Sequence, residues 1–176
     1  ILSLTSALLL TVSCGQRICI SGNIDENPEI FPDYAGVTIP PNIAPLNFSY
    51  LGDEPVTLIV EGKSGARQIT GHKGLFSFPM SYWRKLMESN AGSDINLTIS
   101  VKRGGEWLAF KPFTISVSED EIDPYLSYRL IPPGYQAWKK VGIYQRNLET
   151  YSQTAIFKNS LTGGNCVNCH SYCQRD

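Results

Sequence analysis

The chain has 176 residues, 42% hydrophobic and 18% charged, with a net charge of −1. That is one domain of ordinary size plus an appendage, with the composition of a globular protein. No Lys/Arg run exceeds two residues, which argues against nucleic-acid binding through a basic face. Eleven prolines and 15 glycines, with 9 Tyr, 7 Phe and 3 Trp, point to a β-rich, loop-rich fold. There is no initiator Met, and both ends read as cut from a longer protein.

The amino terminus, ILSLTSALLLTVSCGQ, is uncharged and apolar through Val12. It is too short to span a bilayer but fits the apolar region of an export signal. It ends in Val12-Ser13-Cys14-Gly15, which resembles a bacterial lipobox, with Thr11 where Leu is usual. Residues 1–13 therefore read as a partial lipoprotein signal and Cys14 as the lipidated residue. Acyl chains on Cys14 would anchor the mature protein to a membrane, outside the cytoplasm. Cys19 reads as a free or incidentally paired thiol without a role.

Residues 14–45 read as anchor and extended tether. Pro28, Pro32, Pro40, Pro41 and Pro45 forbid helix and central strand. Phe31, Tyr34, Val37, Ile39 and Ile43 imply that part of the segment packs on the next domain.

Residues 46–118 carry the period-2 pattern of strands. LNFSYLG alternates, PVTLIVEG ends in a turn at Lys63-Ser64-Gly65, and ARQITGHKGLFSFP contains a turn near Gly71–Gly74. SYWRKLMESN is the one helical stretch here, with Ser81 as a possible cap and Gly92 just past its end. DINLTISVKRGGEWLAFKPFTISVS predicts a hairpin turning at Gly104-Gly105, its return strand interrupted by Pro112. The expectation is a mainly β fold, an immunoglobulin- or fibronectin-like sandwich without an intersheet disulfide. Trp83 and Trp107 read as core anchors, Met80 and Met87 as core or helix-face residues, and His72 as an exposed turn residue. No acid pair, Ser/His/Asp set or phosphate-binding Gly loop argues for a hydrolase or transferase. An electron carrier or binding protein is favoured over an enzyme.

SEDEIDP marks a boundary, and 119–165 reads as a connecting segment. Pro132-Pro133-Gly134 predicts a rigid turn and Tyr135–Val141 a short helix. GIYQRNL and TAIF predict strands, and Gly163-Gly164 a tight turn.

Residues 166–176 hold Cys166-Val-Asn-Cys169-His170, the C-x-x-C-H spacing of c-type haem attachment. Two thiols one helical turn apart suit the two haem vinyl groups, and the adjacent imidazole suits the iron. Placing 5 Cys and 2 His at random yields on the order of 0.002 such patterns in a chain this long. Accident is thus a poor account, but the spacing does not choose among chemistries. With Cys173, the same cysteines could supply thiolates to Zn or an iron–sulfur cluster. A redox-active or structural disulfide is the other alternative.

Three runs carry a wider resemblance: DYAGVTIPPNIAPLNFSY, IPPGYQAWKKVGIYQRNLET and IFKNSLTGGNCVNCHSY. Over residues 30–172 the chain resembles the amino-terminal region of a family of bacterial envelope lipoproteins. These are labelled cytochrome c-like or cytochrome c biogenesis-like. The resemblance implies a TolB-like β-propeller after the C-x-x-C-H. It also implies covalent haem c on Cys166 and Cys169, with His170 as axial iron ligand. It further implies location in the periplasm or at the outer membrane. Expected partners are the membrane, a redox protein, and an envelope protein or glycan.

Overall fold

The structure, a computed structural model, describes residues 18–131 and 141–165. The fold is mainly β, with several sheets and one α-helix among the described residues. The described strands, in chain order, are β1 Ile20–Asn23, β2 Ile30–Phe31, β3 Thr38–Ile39, β4 Phe48–Tyr50, β5 Val56–Gly62, β6 Gly65–Thr70, β7 Leu75–Phe76, β8 Ser93–Arg103, β9 Glu106–Ala109, β10 Phe113–Val117, β11 Tyr125–Leu130, β12 Gly142–Asn147 and β13 Gln153–Lys158. Helix α1, Met80–Asn90, lies between β7 and β8.

The large sheet has seven strands. Its spine is β8, with β5 antiparallel along one edge and the hairpin return along the other. That return is split into β9 and β10 at Phe110–Pro112, although the Phe110 amide still donates to the Ile99 carbonyl of β8 at 2.9 Å. Pro112 has no amide to donate, so the break falls where the sequence predicts it. Gly104 (φ +57°) and Gly105 (φ +91°) make the β8–β9 turn, with Arg103 opposite Glu106. Positive φ at both central residues is what a type I′ hairpin demands and what glycine adopts without strain.

Residues 18–45, expected as an extended tether partly laid over the next unit, contribute three short strands. β1 pairs parallel with β9 and β3 parallel with β10, while β2 joins β4 and β7 in a second, three-stranded sheet. The prolines bar this segment from a central position but not from short edge pairings.

One face of the large sheet is closed by the second sheet and by α1. Along β8, Ile95, Leu97, Ile99 and Val101 are buried while Asp94, Asn96 and Lys102 are exposed. From β5, Val56, Leu58 and Val60 face the same core, and Phe48, Phe76 and Phe78 cover it from the other side. Each such aliphatic side chain contributes about 1.5–3 kcal/mol on burial. Helix α1 buries Trp83, Leu86, Met87 and Asn90, one stripe at i, i+3, i+4, i+7 spacing. The Trp83 indole N–H also donates to the Ile43 carbonyl at 2.8 Å.

Ser81 is not the helix cap. The helix starts at Met80 after Pro79, whose φ of −57° suits the entry, and no side chain caps it. The chain is aimed into the helix by Asn47 instead, whose Oδ1 accepts from the Phe78 amide at 3.0 Å. Gly92 (φ +69°) lies just past the helix end, as expected. Trp83 and Met87 are core residues, Met80 is half-buried, and His72 is exposed in its turn. Trp107, expected as a core anchor, is only half-buried: it sits opposite exposed Lys102 and shares that residue's face, while Leu108 sits opposite core residue Val101.

The 119–165 segment folds in its described part into a third sheet, an antiparallel meander of β11, β12 and β13. Strands β12 and β13 match the two expected ones. β11, in the Tyr125–Leu130 stretch, is additional. The Pro132–Gly134 turn and all of the expected Tyr135–Val141 helix except Val141 lie outside the described residues.

Candidate functional site

The cysteine and histidine positions singled out by the sequence, Cys14, Cys166, Cys169, His170 and Cys173, lie outside the described residues. What the structure supplies is the approach to Cys166. Strand β13 runs into a 3₁₀ turn, Asn159–Thr162, and the chain reverses through Gly163 (φ +67°) and Gly164 (φ +88°). Asn159 is buried beneath this reversal. Its carbonyl accepts from the Gly164 amide and from Thr162 Oγ1, both at 2.9 Å, and its amide donates to the Val141 carbonyl at 3.3 Å.

Among the described residues, a Cβ added at Gly163 or Gly164 would meet nothing within 4 Å. Glycine is required by conformation at both positions, which have positive φ. Cys166 follows this turn in the sequence, two residues after Gly164. Two thiols and an imidazole directly beyond it are a donor set suited to a haem. Leu161, 70% exposed, and Ile156, 52% exposed, flank the approach with apolar surface.

The described residues add no second donor set. No group of three His, Cys, Asp or Glu side chains among them is placed to hold a metal ion. Cys19 is exposed and free. His72 is held in its tight turn by reciprocal backbone bonds with Leu75, at 2.9 and 3.0 Å. Met87 is sealed in the core.

Two polar features were not singled out from the sequence. The first is a cleft of about 350 Å³ between α1, the Pro41–Ile43 stretch and the loop after β10. Glu88, Glu119, Glu121 and Glu149 line it, with Arg84. In the sequence, three of these glutamates lie in runs that read as solvated loop or strand end, so nothing marked them as neighbours.

The second is a brace at the open end of the large sheet. Arg103 Nε and Nη2 both meet Glu54 Oε1 at 2.8 Å, and the Tyr50 hydroxyl donates to Glu54 Oε2 at 3.2 Å. A backbone N–H of its own residue and the Arg103 guanidinium hold the Glu54 carboxyl below the usual glutamate range. Burial, then the adjacent Glu54 charge, pushes the Tyr50 phenol up. The brace is structural: it ties β4, the loop after it and β8 together.

No protein-family model, no curated protein and no solved structure matches the chain. The functional reading therefore rests on the residues themselves.

Proposed function

We propose that the protein is a lipid-anchored, extracytoplasmic haem protein. Cys14 would be its anchor, Cys166 and Cys169 its covalent haem links, and His170 the axial ligand. The observation that carries the reading is the C-x-x-C-H spacing in a chain whose amino terminus reads as an export signal. Both parts are needed, since haem attachment takes place on exported chains.

In attachment, the S–H of each cysteine adds across a vinyl double bond of the haem. A C–S and a C–H bond form, nothing leaves, and no oxidant is consumed. His170 would hold the iron through an unprotonated ring nitrogen. The haem, when bound, supplies one-electron chemistry, and the protein sets access and potential around it. Electron transfer or redox sensing with a partner protein in the bacterial cell envelope is the corresponding role.

The immunoglobulin- or fibronectin-like sandwich is the finer reading of the β-rich body. It would serve as the rigid support between membrane anchor and haem segment. The resemblance to cytochrome c-like envelope lipoproteins with a TolB-like propeller points the same way.

A second reading is favoured by one observation. Leu126, Leu130, Ile156 and Leu161 leave apolar side chains exposed around the third sheet. An envelope binding protein for a protein or glycan partner would use such a surface, with its cysteines bracing a loop or holding Zn or an iron–sulfur cluster.

The test expresses the natural gene in a host with c-type maturation machinery. Peroxidase-stained denaturing gels should show a haem band. Membrane fractionation should show the protein in the membrane pellet, and Cys14→Ser should release it to the soluble fraction. An exported, folded protein without the haem band would reject the haem reading. A Cys14→Ser variant still in the membrane pellet would reject the anchor.

A further inference from the structure

The third sheet is joined to the rest of the protein by an unusual kind of contact. The central core contains side chains from β3, β4, β5, β7, α1, β8 and β10, but none from β11, β12 or β13. Among the described residues, those three strands pack chiefly on one another. Burial of apolar surface in that core therefore does not set the orientation of the third sheet. Hydrogen bonds from one short stretch, Pro40–Asn47, are placed to do so.

Within that stretch, Asn42 treats Ile122 as a strand would. Its Nδ2 donates to the Ile122 carbonyl at 2.8 Å, and its Oδ1 accepts from the Ile122 amide at 3.0 Å. The same Nδ2 donates to Glu149 Oε1 at 3.0 Å, in the turn between β12 and β13. Two residues on, the Ala44 amide donates to the Leu148 carbonyl at 2.7 Å, and the Leu148 amide donates to the Pro124 carbonyl at 2.8 Å. The other side of the stretch is fixed to the body. Trp83 donates to the Ile43 carbonyl, Asn47 accepts from Phe78, and Ala44 and Pro45 are buried.

We propose that Asn42 is a latch. It locks the third sheet, and with it the chain leading to Cys166, in one orientation against the body. The geometry requires both functions of a primary amide. Aspartate keeps the shape but loses the donor and places a second negative charge beside Glu149. Alanine loses everything. The proposal stands whether or not Cys166 carries a haem, and it fails independently of that reading.

Hydrogen–deuterium exchange on the folded protein tests it. In Asn42→Ala, exchange in peptides covering 119–126 and 146–150 should rise about tenfold, while peptides covering β5 and β8 keep wild-type protection. Asn42→Asp should behave as Asn42→Ala does. Glu149→Gln, which keeps an acceptor, should behave as wild type. Unchanged exchange in the two peptides of Asn42→Ala would overturn the latch. So would an equal loss of protection in β5 and β8, which would mean that Asn42 merely supports global stability. If Asn42→Ala fails to fold, Asn42→Asp is read by the same criteria.

Discussion

Glu54 shows how much one side chain at the rim of a sheet can organise. It lies 4 residues after Tyr50 and 49 before Arg103, and both bond to it. Its folded-state pKa lies below its unfolded value, so the brace contributes fully above the ordinary glutamate range. That contribution is lost as pH falls through the folded-state pKa. The contribution is small, because solvent reaches and screens the pair. Urea midpoints measured from about pH 5 down to about pH 2 should fall less steeply in Glu54→Gln than in the wild type. Equal slopes would remove Glu54 from the acid response. Little of this is legible in the sequence. Arg103 reads only as one flank of a hairpin turn, and nothing pairs it with an acid so far away. Trp83 was legible as a core anchor because the helical stripe around it is clear. Trp107 was not placed correctly, because its face is set by its register opposite exposed Lys102, which a single strand's alternation does not give.

At the scale of elements, strong local rules were the readable ones. The Gly104-Gly105 hairpin, the split at Pro112 and the α1 stripe each arise from a requirement of the backbone or of a 3.6-residue period. Gly105 sits at φ +91°, so Gly105→Val should destabilise the protein by about 1–2 kcal/mol, read as a lowered urea midpoint. Gly104→Asn should cost much less, since asparagine tolerates the left-handed region. If Gly105→Val left the midpoint unchanged, the turn would not have the required geometry. Strands β1, β2 and β3 were not read as strands. They are two to four residues long and paired only through distant parts of the chain, and prolines adjoin β2 and β3. Strand β11 was hidden for a different reason. Tyr125 and Leu126 are adjacent and both exposed, so no alternation marks it. The helix start was misplaced because the residue that directs it, Asn47, is 31 positions away from the amide it binds.

At the scale of the whole molecule, the protein is a β-rich body with a smaller three-stranded sheet held against it by polar bonds from Pro40–Asn47. That sheet leads through Asn159 and Gly163-Gly164 directly to Cys166. A body of this kind supplies rigidity, and the latch at Asn42 gives the chain entering Cys166 a defined place. The chemistry proposed for Cys166, Cys169 and His170 was read from their spacing together with the export-signal-like amino terminus. The described fold contributes only its approach. The central claim is the covalent haem. The most direct measurement is a pyridine haemochrome spectrum of the acid-denatured, solvent-extracted protein, expressed from its natural gene with maturation machinery. Cys166→Ala/Cys169→Ala is the control. The account predicts the haemochrome bands of a haem with two thioether links in the wild type and none in the double variant. A folded, exported wild type from which extraction removes all haem would contradict it.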